Sequence, residues 1–222
     1  MSPDFWLERW KNNQIGFHQQ AINNALQDHW RELALPAPSA VFVPLCGKSR
    51  DMLWLRAQGH TVLGIEFIPM AVRDFFAENG LTPAVSRQPL FERWEADGIT
   101  ILCGDFFDLT AADLNGVVGV YDRASLIALP REMRGRYIDR LNAILPPAAE
   151  TLLITVSYPE GEISGPPFSV TDQEVRALCV GKFEIEALAE NDTLARNASL
   201  CERGLTQLLE HVYRLRKITA GV

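Results

Sequence analysis

An apolar run, Ala40-Val41-Phe42-Val43-Pro44-Leu45, breaks at Cys46-Gly47-Lys48, and a second apolar run, Val62-Leu63-Gly64-Ile65, ends in Glu66. Both read as buried parallel strands. A glycine turn after the first strand, a helix, and an acid at the tip of the second strand about 20 residues on form the arrangement that grips a ribose diol. The acid accepts hydrogen bonds from both hydroxyls. The competing reading is a plain tight turn at Gly47 and a solvated strand-end charge at Glu66.

The remaining periodicity alternates strands with helices, which points to an α/β domain with a mostly parallel sheet covered on both faces. Helical patterns run from Pro3 to Trp10 and from His18 to Leu33, the latter with an apolar stripe of Ala21, Ile22, Ala25, Leu26, Trp30 and Leu33. Pro36 and Pro38 stop it. Ser49 can cap a helix to about Gln58, Pro69 opens one to Asn79, and a short helix is expected near Ala111. Further strands are expected at Ile99 to Cys103, Val117 to Tyr121 and Thr151 to Ser157, with helices at Arg131 to Leu145 and after Thr171. Lys182 to Glu190 and Leu205 to Arg216 read as a closing antiparallel hairpin at one sheet edge.

Composition narrows the function classes. The 222 residues, 47% of them hydrophobic, suffice for one large core, so a single domain over 1–222 is expected, with a helical cover at 1–35 and a Rossmann-like core at 40–217. No uncharged apolar stretch approaches the roughly 18 residues of a spanning helix, and no basic region precedes an apolar block at the N-terminus, so a cytoplasmic protein with no membrane partner is expected. The net charge of −7 repels phosphate backbones, which disfavours nucleic acid as a partner. Cys46, Cys103, Cys179 and Cys201 form no CxxC pair and have no companion histidines at ligand spacing, so buried free thiols are expected and no metal site.

In open sheets of this kind, ligands sit beyond the carboxyl ends of the strands. The strand ends here carry Leu45-Cys46-Gly47, Glu66, Cys103-Gly104-Asp105-Phe106, Asp122-Arg123 and Tyr158-Pro159. Asp105 can accept from an exocyclic amine and Phe106 can cover a base face, which suits adenine; a turn carboxylate and core packing are their alternatives. A phosphate loop needs a glycine where Phe42 stands, and GxGxxG fails at Leu45 and Arg50, so a mononucleoside ligand without phosphates fits better. No Ser/His/Asp arrangement stands out: His18, His60 and His211 lie outside the strand ends and His29 lies in a helix pattern, which reads as solvated or capping histidines.

Trp6, Trp10, Asn13, Gly16-Phe17-His18, Pro44-Leu45-Cys46-Gly47-Lys48, Gly64-Ile65-Glu66, Asp108-Leu109, Asp122-Arg123, and Ser157-Tyr158 with Gly165-Pro166-Pro167-Phe168 occur in this order, and on them the chain resembles the thiopurine S-methyltransferases from about residue 5 to 217. The PLCGK turn and the SY…GPPF loop are the most specific parts. The resemblance implies a doubly wound seven-stranded sheet with an antiparallel last strand and an N-terminal helical cover. It also implies methyl transfer from S-adenosyl-L-methionine (AdoMet) to the sulfur of an aromatic or heterocyclic thiol, leaving S-adenosyl-L-homocysteine. Carried over, Trp10, Leu45, Glu66 and Arg123 line the cofactor site, Asp105 and Phe106 match its adenine side, and Trp6, Phe17, Arg123 and Pro167 face the acceptor.

Transfer from a sulfonium is an in-line displacement that neutralises charge, so alignment in a dry cavity matters more than a strong base. Arg123 is the candidate catalytic residue, favouring the thiolate; a salt bridge to Asp122 or Glu66 is its alternative. The segment from residue 3 to about 20 is expected to order when ligand binds. A monomer acting on a small molecule is expected. The alternatives are a methyltransferase for selenium or tellurium species or other small thiols, and a non-catalytic AdoMet-binding module.

Overall fold

The computed structural model describes residues 3–16 and 18–218. Its strands are β1 (Ala40–Val43), β2 (Thr61–Glu66), β3 (Ala84–Arg87), β4 (Glu92–Ala96), β5 (Ile99–Cys103), β6 (Val117–Arg123), β7 (Glu150–Ser157), β8 (Phe183–Asp192) and β9 (Leu209–Lys217). The helices are α1 (Pro3–Lys11), α2 (Asn24–His29), α3 (Asp51–Ala57), α4 (Pro69–Glu78), α5 (Arg131–Ile144), α6 (Asp172–Cys179) and α7 (Ala198–Glu202).

All described strands join one sheet in the order β3-β4-β5-β2-β1-β6-β7-β9-β8. Its centre, β5-β2-β1-β6-β7, is parallel throughout. The chain winds outward from β1 through β2 to β5 and then crosses back to β6 on the other side of β1, and such a reversal opens a crevice at the strand C-termini. β9 runs antiparallel between β7 and β8, as the closing hairpin requires. The seven expected strands are all present, but the sheet has nine: β3 and β4 form a hairpin antiparallel to β5 and widen that edge. Every residue of β3 is exposed, and in β4 only Trp94 and Ala96 pack on the core among Glu92, Arg93 and Glu95, so the apolar signal is short.

Alternation along β1 explains the two-faced core. Phe42 packs with Val120, Tyr137, Leu141 and Leu153 on one face, while Val41 and Val43 pack with Leu26, Met52, Leu55 and Phe75 on the other. Each such side chain contributes about 1.5–3 kcal/mol on full burial. Gly64 permits the close seating of α3 on β2, because a Cβ there would lie 2.8 Å from Cys46 Sγ and 3.3 Å from Met52 Sδ.

Several local expectations need correction. The second helical pattern begins only at Asn24, because the Asn23 side chain accepts the Leu26 N–H at 3.0 Å and stops the helix from extending back to His18; it ends in a 3-10 turn, Trp30–Leu33. Ser49 is not the cap of α3: Arg50 holds that position, while Ser49 Oγ accepts the Asp51 N–H at 3.2 Å. No helix forms at Ala111; the turn of helix in this region is a 3-10 segment, Phe106–Asp108, capped by Asp105. Thr171 does cap α6, accepting from Glu174 N–H.

Candidate functional site

The turn after β1 is built around Glu66. Leu45 and Gly47 adopt φ of +44° and +53°, the left-handed region that costs a residue with a side chain about 1–2 kcal/mol, and Cys46 N–H donates to Ile65 O at 2.9 Å. This geometry delivers the Gly47 N–H to Glu66 Oε2 at 2.8 Å, while Ile68 N–H reaches Oε1 at 2.7 Å. Glu66 is 8% exposed; burial raises its pKa, and the N–H groups of Ile68 and Gly47 oppose that rise by favouring the ionised form. A carboxylate has about four acceptor positions, so each oxygen keeps one for an incoming hydroxyl. Two adjacent hydroxyls match that pair of acceptors.

Glu66 opens into a cavity of about 310 Å³ at the C-terminal ends of β1, β2, β5 and β6. The sequence-predicted residues Trp6, Trp10, Leu45, Glu66, Asp105, Phe106, Arg123 and Pro167 all line it. Phe17 lies outside the described residues. Trp10 is buried against Ile68 and Ala71, in a small cluster that includes Trp6 and joins α1 to the start of α4. Asp105 is exposed and its Oδ1 accepts the Phe107 N–H at 2.9 Å, the local bond of a turn carboxylate. Phe106 is buried, its ring centroid 4.8 Å from that of Tyr137. The neighbouring Phe107 also lines the cavity, with the Arg136 guanidinium 4.1 Å above its ring.

At the other end stands Arg123, whose ion partner is neither Asp122 nor Glu66. Its Nη1 lies 3.6 Å from Oδ2 of Asp51, a fully buried acid at the start of α3. Asp51 Oδ2 also accepts the Tyr121 hydroxyl at 2.8 Å, and Oδ1 accepts the Asn23 N–H at 2.9 Å. Asp122, one residue before Arg123, points to the opposite face of β6, where Oδ2 accepts the Tyr137 hydroxyl at 2.7 Å. Sequence reasoning missed Asp51, Tyr121 and His18, which all line the cavity. A signal for Asp51 existed: it heads Asp51-Met52-Leu53-Trp54-Leu55 on the face of Leu55, a charge placed on an apolar stripe. His18 has its pKa lowered by burial and by Lys48, which holds it neutral.

The remaining histidine reading also needs correction. Ser157 Oγ lies 2.7 Å from His211 Nε2, and His211 Nδ1 lies 3.1 Å from Glu190 Oε2, a Ser/His/Glu chain assembled from three strands. It is not poised as a nucleophile: Ser157 and His211 lie outside the cavity lining, and the Tyr158 N–H that would serve an oxyanion already donates to Ser169 Oγ at 3.0 Å. His60 is buried too, accepting the Trp30 indole N–H at 3.0 Å. All four cysteines are free, but only Cys46 and Cys179 are buried; Cys103 is half-buried and Cys201 exposed. Burial, then the nearby Glu66 charge, raises the Cys46 thiol well above its ordinary range, so it stays protonated beside the cavity.

Comparison with known proteins fits this geometry. The described fold is similar to 1,6-didemethyltoxoflavin-N1-methyltransferase of Burkholderia thailandensis, solved with bound S-adenosylhomocysteine (TM-score 0.62, 17% identity, 97% of this chain and 86% of that one). It is equally similar to the [4+2]-cyclase SpnF (TM-score 0.62, 16% identity, 88% and 80%), so the fold alone does not name a reaction. In sequence, the chain is 51% identical over 220 residues to the thiopurine S-methyltransferase of Nitrosospira multiformis, covering 99% of this chain and 100% of that one. It is 48% identical over 218 residues to that of Pseudomonas fluorescens, covering 98% and 100%. The family model for thiopurine S-methyltransferase matches residues 1–218, and the chain belongs to that family.

Proposed function

We propose that the chain transfers a methyl group from AdoMet to the sulfur of an aromatic or heterocyclic thiol. The observation that carries this reading is the Glu66 carboxylate, clamped by two main-chain N–H groups and left with one acceptor position per oxygen at the mouth of a largely apolar cavity. That chemistry fits a nucleoside with a free ribose diol. AdoMet, when bound, supplies a methyl group on a positively charged sulfur.

The residues divide the work by position. Glu66 takes the ribose, Leu45 and Trp10 wall the cofactor, and Asp105 and Phe106 stand on the adenine side, where Asp105 Oδ2 is open to an exocyclic amine while Oδ1 serves Phe107. Trp6 and Trp10 bring π faces to a cationic sulfur and exclude water from it. Arg123, half-buried at the far end, favours an ionised thiol through its charge and offers N–H donors to ring heteroatoms. Pro167 forms a stiff wall of the acceptor end, its carbonyl accepting the Tyr158 hydroxyl at 2.7 Å. Phe17 is assigned to the acceptor from the sequence alone. Closure of the segment from residue 3 to about 20 over the ligand would complete the cavity.

The test is calorimetric titration with S-adenosylhomocysteine, followed by a methylation screen of heteroaryl thiols alongside selenium and tellurium anions. One-to-one binding and turnover of the heteroaryl thiols are expected. Absence of binding overturns the cofactor assignment; binding with no thiol methylated overturns the reaction.

A further inference from the structure

Asp51 is expensive where it stands. At 2% exposure, a carboxylate costs several kcal/mol unless its oxygens are satisfied and a counter-charge lies near. Both oxygens are satisfied, one by the Asn23 N–H that precedes α2 and the other by the Tyr121 hydroxyl on β6. The counter-charge is Arg123, but 3.6 Å is too long for a hydrogen bond. Among the described residues, the Arg123 guanidinium makes no hydrogen bond at all. It is therefore held by charge and, as a residue that lines the cavity, keeps N–H donors for a ligand. Burial raises the pKa of Glu210 on β9, and the charge of Arg123 opposes that rise.

We propose that Asp51 is the positioning residue of the acceptor site: it fixes where the Arg123 guanidinium stands and matches its charge without using its donors. The consequence is a preference for thiols whose only negative charge is on sulfur. A ring carboxylate would meet a cation already matched by Asp51, in a cavity of low dielectric where an unmatched charge is costly. This inference rests on the S-methyltransferase reading of the cavity.

The test compares a heteroaryl thiol with its ring-carboxylated analogue at saturating AdoMet, using the full chain. In Asp51→Asn, KM for the plain thiol should rise about tenfold with kcat within about threefold, as expected for losing one charged contact that orients a binding group. The ratio of kcat/KM for the carboxylated over the plain thiol should rise about tenfold, while S-adenosylhomocysteine affinity stays within about twofold. Tyr121→Phe removes one of the two hydrogen bonds that hold Asp51 but leaves the ion pair, so its KM should rise less than that of Asp51→Asn. Arg123→Gln and the double variant Arg123→Gln/Asp51→Asn should share one acceptor KM within about twofold, because Asp51 then has nothing to place. That pair carries the test if Asp51→Asn alone does not fold, since the double variant strands no charge. An unchanged ratio in Asp51→Asn, an equal KM rise in Tyr121→Phe, or additive effects in the cycle overturns the proposal. Failure of the wild type to methylate either thiol would instead overturn the reading beneath it.

Discussion

Glu66 and Arg123 stand at two ends of one cavity and are held by different means. Glu66 is gripped by the main chain, through N–H groups of Gly47 and Ile68 that no nearby substitution can remove without moving the backbone. Arg123 is held by a side chain, Asp51, that itself depends on Tyr121 and on the N–H of Asn23. A main-chain clamp fixes an acceptor to within tenths of an ångström and does not adapt; a charge facing a charge across 3.6 Å can be retuned by one substitution. In the proposed reading, the end assigned to the invariant ligand is thus rigid, and the end assigned to the variable one is adjustable.

The most severe test of this contrast is Glu66→Gln. The amide nitrogen must face either the Gly47 or the Ile68 N–H, donor against donor, and the charge that accepts the diol is lost. S-adenosylhomocysteine should bind about 100-fold more weakly by calorimetry, near 3 kcal/mol. Undiminished affinity would remove Glu66 from the site and with it the contrast.

Asp122 supplies a second test, because it neighbours Arg123 in sequence yet faces away from the cavity. Burial pushes its carboxyl up to about 6, the Tyr137 and Ser125 hydroxyls opposing, and Oδ1 has no partner among the described residues. A carboxyl whose folded pKa lies above its unfolded value stays protonated in the folded state while the unfolded chain has released its proton. Its contribution to stability is therefore greatest below about pH 4, falls as pH rises to about 6, and is level above. Asp122→Asn has no proton to lose, so its stability relative to wild type should rise by about 3 kcal/mol across that window, read by urea unfolding at successive pH values. Acceptor kinetics should stay as they were. A pH-independent difference between the two proteins contradicts the assignment of Asp122 to the core.

What the sequence disclosed follows from the range over which each signal acts. β1, β2 and Glu66 were legible because apolar runs and a turn residue lie within a few positions of one another. The β3-β4 hairpin was not, since only Trp94 and Ala96 of β4 meet the core and the rest is held by main-chain pairing with β5. Asp51 bonds groups 28 residues before it and 70 after, and Ser157 meets His211 across 54, separations that no local spacing encodes. Arg123 lines the cavity as expected, but its counter-ion is neither its neighbour Asp122 nor Glu66; it is Asp51 at the head of α3, which no strand-end pattern marks.

Gly47→Ala probes the rigid end more gently. A Cβ there would make ordinary contact with the Trp10 ring at 3.6 Å, so space is not the obstacle; the φ of +53° is. The strain is about 1 kcal/mol, and relief of it would swing the N–H off Glu66. A Tm lower by about 2–4 °C and S-adenosylhomocysteine binding weakened about fivefold are expected. A full-strength cofactor site in this variant would mean that the clamp has more play than the Glu66 geometry implies.

The mildest change belongs to the adjustable end. Tyr158→Phe deletes the hydroxyl that donates to Pro167 O while leaving the Tyr158 N–H on Ser169 Oγ, so the loop keeps its base and loses one tie at its tip. One lost hydrogen bond at a half-buried site is worth about 1 kcal/mol. If Pro167 walls the acceptor and not the ribose, as proposed, KM for a heteroaryl thiol should rise about threefold while S-adenosylhomocysteine affinity holds. Equal losses for both ligands would mean that the loop and the Glu66 turn move together, and that the two ends of the cavity are not independent after all.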